Sequence, residues 1–395
     1  MDVLPDEMVS EILERAGKPS LYSTFRVYVR WKRLSMKQVQ IITKPQDVYE
    51  ACKQGDLLSI TQSKNNNWNS GLQVACENGN KELVKLLIAK GADDWNRGLD
   101  GACQGGHKDL AELMIAKGAD DFNSGLGSAC AGGHKELVEL MIAKGTNDWE
   151  GGLEGSCAGG YEELAELMIT KGAGNYNLGL RAACGGGHKD LAELMITKGA
   201  DDVDSGLGGA CVGGHKELAE LMVTKGARNW GWGLFGACEG GHKELAELMV
   251  IKGARNWGWG LHGACKEGHK DLAELMITKG ADDLNSGLKI ACKGGHKELV
   301  EFLIVKGADD LNGALEDACH GGHQELVKFL ITKGANDWNK CLLFACGGGH
   351  KELAEFSIAK GANDLKWGLQ VALEGGHEEL IDLMTSRALD PSTMQ

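Results

Sequence analysis

The chain has 395 residues, 13 cysteines and a formal net charge of −14. No apolar run approaches the roughly 18 residues that span a bilayer, and the opening Met1-Asp2-Val3-Leu4-Pro5-Asp6 has neither the basic nor the apolar stretch of a secretory signal. Such an acidic balance argues against sequence-independent nucleic-acid binding, which needs clustered Lys and Arg, and against docking on anionic membranes.

The head of the chain differs in charge from the rest. Residues 1–40 carry about +2, which leaves about −16 for the remainder. Their apolar residues begin Leu4-Pro5-Asp6-Glu7 and continue through Ile12-Leu13, then Val27 and Trp31. This spacing resembles an F-box, whose pattern is Leu-Pro-x-Glu-x-x-x-x-Ile-Leu followed some fifteen residues on by Val-x-x-x-Trp. The resemblance implies a helical domain over residues 1–40. It also implies a Skp-family linker of a cullin-RING (SCF-type) ubiquitin ligase as partner, met by Leu4, Pro5, Glu7, Ile12, Leu13, Val27 and Trp31. On the residues alone, a capping helix packed on the next element is the alternative.

Beyond residue 40 a 27-residue phrase repeats. Cys76, Cys103, Cys130, Cys157, Cys184, Cys211, Cys238, Cys265, Cys292, Cys319 and Cys346 are each 27 residues apart. A fixed period of this size signals a stacked solenoid, which binds other macromolecules along an extended face. In residues 98–124, Leu99, Ala102 and Cys103 share one face of a short helix. Gly105-Gly106 ends it. A second helix is expected from about His107 to Lys117, with Gly118 closing it. Helix pairs this short are stable only when stacked. About 13 such units fill residues 41–390. The first, near Asp47, is degenerate; the last has Leu373 in place of cysteine, and a polar tail covers 391–395.

The unit resembles the ankyrin repeat. Gly-Leu-x-x-Ala-Cys is similar to that family's Pro-Leu-His-x-Ala-Ala, Gly-Gly-His-Lys-Glu-Leu to its Asn-Gly-His-x-x-Val, and Lys-Gly-Ala-Asp-Asp-Trp-Asn to its Lys-x-Gly-Ala-Asp-Val-Asn. The ankyrin period is 33. The six residues absent here fall where that family projects a β-hairpin finger. The expected fold is therefore all-α: a finger-less ankyrin-like α-solenoid behind an N-terminal helical F-box. An F-box followed by ankyrin-like repeats also resembles proteins of large DNA viruses of amoebae. That implies a host-virus interaction in the host cytoplasm. The thirteen thiols, eleven of them evenly spaced, read as reduced, in a cytoplasmic or nuclear protein.

Cys-x-Gly-Gly-His invites a zinc reading. Yet Cys76 is followed by Asn80, Cys157 by Tyr161, and His377 follows Leu373. Small buried cysteines and turn-bonding histidines are the expectation, with no metal and no cofactor. The apolar loop position of Trp68, Trp95, Phe122 and their successors reads as packing between units. No catalytic constellation stands out from residues in register on every unit, so no enzyme is expected.

Two positions vary between near-copies: the one after the helix-one leucine and the one after the cysteine. They are four apart and share a helix face, which in ankyrin-like stacks would be concave. Next to it, Arg228-Asn229-Trp230-Gly231-Trp232-Gly233 and Arg255-Asn256-Trp257-Gly258-Trp259-Gly260 add arginine and a second tryptophan. Interface hot spots are enriched in both types. The candidate partner-binding residues are Arg228, Trp232, Phe235, Arg255, Trp259, His262, Lys266, Lys289 and Lys293. One duplication copying one odd loop is the alternative. The expected function is a monomeric protein-protein interaction module. In one reading it is a ligase subunit holding a protein substrate; in the other it is a stand-alone scaffold.

Overall fold

The computed structural model describes residues 52–53 and 68–388. The F-box-like residues Leu4, Pro5, Glu7, Ile12, Leu13, Val27 and Trp31 lie outside them, as does the tail. The described residues form 24 helices and no strand, in pairs running from Trp68–Glu77 with Lys81–Ala89 to Leu365–Glu374 with Glu378–Ala388. The finger-less all-α solenoid is the observed architecture. The chain divides into two compact units, one ending at Asp121 and one beginning at Phe122. The described part of the first holds two helix pairs and the second holds ten. No helix of the described residues is long and apolar enough to cross a membrane.

Each first helix starts earlier than the Gly-Leu pair suggests. It begins at the aromatic or aliphatic residue, as in Trp95–Gly105 and Trp149–Gly159. The acidic or amide residue just before it is an N-cap. Asp94 Oδ1 accepts the Arg97 N–H at 3.1 Å, and Asp148 Oδ1 accepts the Gly151 N–H at 3.0 Å. So the apolar stripe that begins at Trp68 is a first-turn stripe, not a loop. Trp68 is buried, but the later members are half-buried. Lys90 and Lys117 lie over Trp68 and Trp95, 5.6 Å from each ring centre.

The helix ends where the second glycine takes a left-handed conformation, φ 79° at Gly106. The second helix then runs back and buries Leu110, Ala111 and Met114 against Leu99, Ala102 and Cys103. The unit-start glycine makes room for that methionine: a Cβ on Gly98 would lie 2.5 Å from Met114 Sδ. Where leucine replaces methionine, at Leu330, alanine fits at the start, at Ala314.

The same position corrects the expectation of thirteen reduced thiols. A Cβ on Gly179, Gly260 or Gly287 would lie 3.3, 3.4 or 3.2 Å from the cysteine sulfur of the preceding repeat. One repeat carries Cys341 there, and it forms a disulfide with Cys319 across 5.5 Å between Cα atoms. Ser357 replaces the bulky methionine and clears the space. Its hydroxyl donates to Leu353 O at 2.7 Å and to Cys341 Sγ at 3.0 Å. Cysteine usage therefore does not argue for a reducing compartment. The other eleven cysteines are free and buried. Burial pushes thiols such as Cys103 and Cys130 up to about 12.

Denatured without reductant, the chain should accept eleven alkyl groups, and thirteen after reduction, as counted by intact mass. Thirteen in both would show that Cys319 and Cys341 stay apart.

Candidate protein-binding face

Two bonds repeat from one helix pair to the next and set their register. The first comes from histidine. His188 Nε2 donates to Ala158 O at 3.1 Å and His242 Nε2 to Val212 O at 3.1 Å, each reaching thirty residues back to the end of the previous first helix. The glycine between cysteine and histidine lets the ring approach, since a Cβ on Gly186 would lie 2.3 Å from Ala158 O. Each such bond contributes a net of about 1 kcal/mol. Cys-x-Gly-Gly-His is thus a stacking element. Its histidine nitrogen is engaged with backbone, while its cysteine faces the core.

The second bond comes from the second residue of each first helix. Asn177 Oδ1 accepts the N–H of Asp201 at 2.8 Å and of Asp202 at 3.0 Å in the next connecting loop. Asn69, Asn96, Asn285, Asn312 and Asn339 do the same. A carboxylate can take the same place. Glu150 takes Gly174 and Asn175 at 2.9 and 3.0 Å, and Asp204 takes Arg228 and Asn229 at 2.7 and 2.8 Å. Sequence reasoning missed this clamp. Its signal was present, because the residue after the stripe position is Asn, Asp or Glu in nine of the twelve described repeats. Two of the three exceptions are Gly231 and Gly258, in the two double-tryptophan repeats.

The variable face is where those repeats also depart in shape. Trp232 stacks on Phe235 with ring centres 5.8 Å apart, and Trp259 meets Trp232 edge-on at 6.4 Å. Phe235 lies 6.0 Å from His262. Trp232 rests over the preceding repeat, where a Cβ on Gly208 would lie 2.2 Å from its ring. Val212 on the preceding first helix is 42% exposed, Trp232 40% and Trp259 53%. The result is an exposed aromatic cluster on a face that is otherwise mostly polar or small.

The remaining candidates sit elsewhere. Arg228 and Arg255 fold back on their own loops, with guanidinium groups 5.9 and 5.8 Å from the Trp230 and Trp257 ring centres. They also donate to Ala227 O at 2.8 Å and Ala254 O at 3.1 Å. The structure thus brings together Trp232, Phe235, Trp259 and His262 but not the arginines. Lys266 pairs with Glu239 of the preceding repeat, whose hydrogen bond and charge raise the ammonium pKa. Lys289 pairs with Asp310 at 2.5 Å and lowers the carboxyl pKa. Lys293 is exposed, and its backbone carbonyl accepts from His323 Nε2 at 2.8 Å. The lysines are largely balanced within the array, so they form no free basic patch. Exposed pairs like these contribute little to stability.

Residues 261–341 match the family model described as ankyrin repeats (3 copies), and residues 67–97 match that of a single ankyrin repeat. Among solved structures, the crystal structure of human ASB11 ankyrin repeat domain is similar at 24% identity, over 40% of this chain and 84% of that one, with a TM-score of 0.31. No curated protein matches the chain.

Proposed function

We propose that this chain is a protein-binding scaffold that captures its partner on the aromatic cluster of Trp232, Phe235, Trp259 and His262. The ankyrin repeats support the general role. One observation carries the placement. Two tryptophans stand 40% and 53% exposed in contact with each other, at a position that is polar or small in most repeats. Large rigid aromatics left in water at that density are the usual centre of a protein interface. Substituting Trp232→Ser with Trp259→Ser restores the common residue. It should leave the melting temperature within about 2 °C of the parent and weaken partner capture at least tenfold, about 1.4 kcal/mol. A large fall in melting temperature with capture intact would make the tryptophans packing residues.

In the same proposal, residues 1–40 plug the scaffold into a cullin-RING ligase, which makes the bound protein a ubiquitination substrate. The F-box-like spacing of Leu4, Pro5, Glu7, Ile12, Leu13, Val27 and Trp31 supports this half. Each apolar side chain buried in the linker would contribute roughly 1.5–3 kcal/mol. Leu4→Ala with Pro5→Ala should abolish binding to a purified Skp-family linker and leave partner capture unchanged. Undiminished linker binding by that double variant would remove the ligase role and leave a stand-alone scaffold.

A further inference from the structure

The two repeats that carry the tryptophans are also the two in which the loop clamp is replaced by glycine. At Gly231 the preceding repeat offers no side chain to the N–H groups of Arg255 and Asn256. At Gly258 it offers none to those of Asp282 and Asp283. None of these four N–H groups has an acceptor in the structure, and all four residues are exposed. The same pair of N–H groups in other repeats holds an oxygen ligand. Twice that ligand is a carboxylate, from Glu150 across both of its oxygens and from Asp204 through one. The fold therefore shows within itself that this pair of donors can hold a carboxylate.

The two vacant positions are not equivalent. Asp282 and Asp283 surround one with negative charge. The other is formed by Arg255, whose guanidinium is turned onto Trp257 and Ala254 O, and by Asn256, so neither residue of the pair carries a negative charge. Asn256 has also given up its capping bond, unlike Asn229, which accepts from Trp232 N–H at 3.1 Å. Its side chain leans over Gly231 instead, with Nδ2 3.0 Å from where a Cβ would stand. A third donor is thus brought to the place the clamp would fill. Directly beside it in the chain is Trp232, at the edge of the aromatic cluster.

We propose that this place receives a carboxylate from the protein partner. An aspartate or glutamate side chain in an extended segment would lie across the Arg255 and Asn256 N–H groups. It would supply in trans what Asp204 supplies in cis one repeat earlier. An apolar side chain nearby in that segment then covers Trp232 and Trp259. The inference rests on the proposed binding face and adds the chemistry of its ligand. Charge complementarity selects the occupant: paired N–H donors and the Asn256 amide, with no carboxylate in the pair, favour an anion, in a chain whose overall charge disfavours one elsewhere.

The test uses the full chain, labelled with 15N, and the blocked peptide acetyl-Gly-Asp-Gly-Leu-Gly-amide. The amide protons of Arg255 and Asn256 should shift downfield as peptide is added, and those of Asp282 and Asp283 should not. A peptide with asparagine for aspartate should bind at least tenfold more weakly. Gly231→Asn fills the place with the array's own clamp. It should raise the melting temperature and cut peptide affinity at least tenfold. Gly258→Asn makes the same change one repeat on, and should raise stability while leaving affinity alone. Undiminished peptide binding by Gly231→Asn, or equal binding of the asparagine peptide, overturns the carboxylate site. If Trp232→Ser with Trp259→Ser still abolishes capture of the natural partner, the binding face survives that failure. A wild-type chain whose Arg255 and Asn256 amides do not respond also overturns the site.

Discussion

Everything in this array depends on how closely consecutive first helices approach. In five repeats a glycine faces the helix behind it, and a Cβ on Gly101 or Gly155 would lie 2.1 or 2.3 Å from the carbonyl oxygen of Gln73 or Gly127. No side chain separates the two backbones there. The histidine ring then reaches a carbonyl thirty residues back, and the clamp residue reaches two N–H groups in the next connecting loop. A connection of only four or five residues, such as Gly172-Ala173-Gly174-Asn175, joins one pair to the next. The 27-residue period is just enough for two short helices and that connection, with nothing projecting between pairs.

Such regularity makes exceptions informative. A side chain that differs in one repeat meets the same neighbours as its counterparts, so its effect can be read by comparison. Cys341 in place of glycine reaches a sulfur that lies close to the equivalent position at Gly179, Gly260, Gly287 and Gly368, and Ser357 in place of methionine gives it room. Gly231 in place of asparagine removes a bond that most other repeats keep. The tryptophans at 232 and 259 lie against each other because the 27-residue step places equivalent positions side by side.

Much of this was legible in the sequence. The cysteine beat and the Gly-Gly turns identify two stacked helices per unit, and the missing six residues identify the absent finger. The variation around Trp232 and Trp259 marks where the exposed aromatic cluster stands. Other features were hidden by their range. The start of the first helix depends on a capping side chain ahead of the Gly-Leu pair, and capping residues also look like loop residues. The disulfide joins positions 22 residues apart, off the 27-residue beat. The retreat of Arg228 and Arg255 onto Trp230 and Trp257 is a choice between two aromatic neighbours in one helical turn, which composition cannot decide.

The central claim is that side chain-to-backbone bonds hold the repeats in register and that two consecutive repeats give one of them up where the aromatic cluster stands. Residue-resolved amide hydrogen exchange of the full chain measures this directly. After correction for intrinsic rates, the amides of Arg255, Asn256, Asp282 and Asp283 should exchange at least tenfold faster than those of Asp201, Asp202, Arg228, Asn229, Asp309 and Asp310. Equal protection at all ten positions would contradict it.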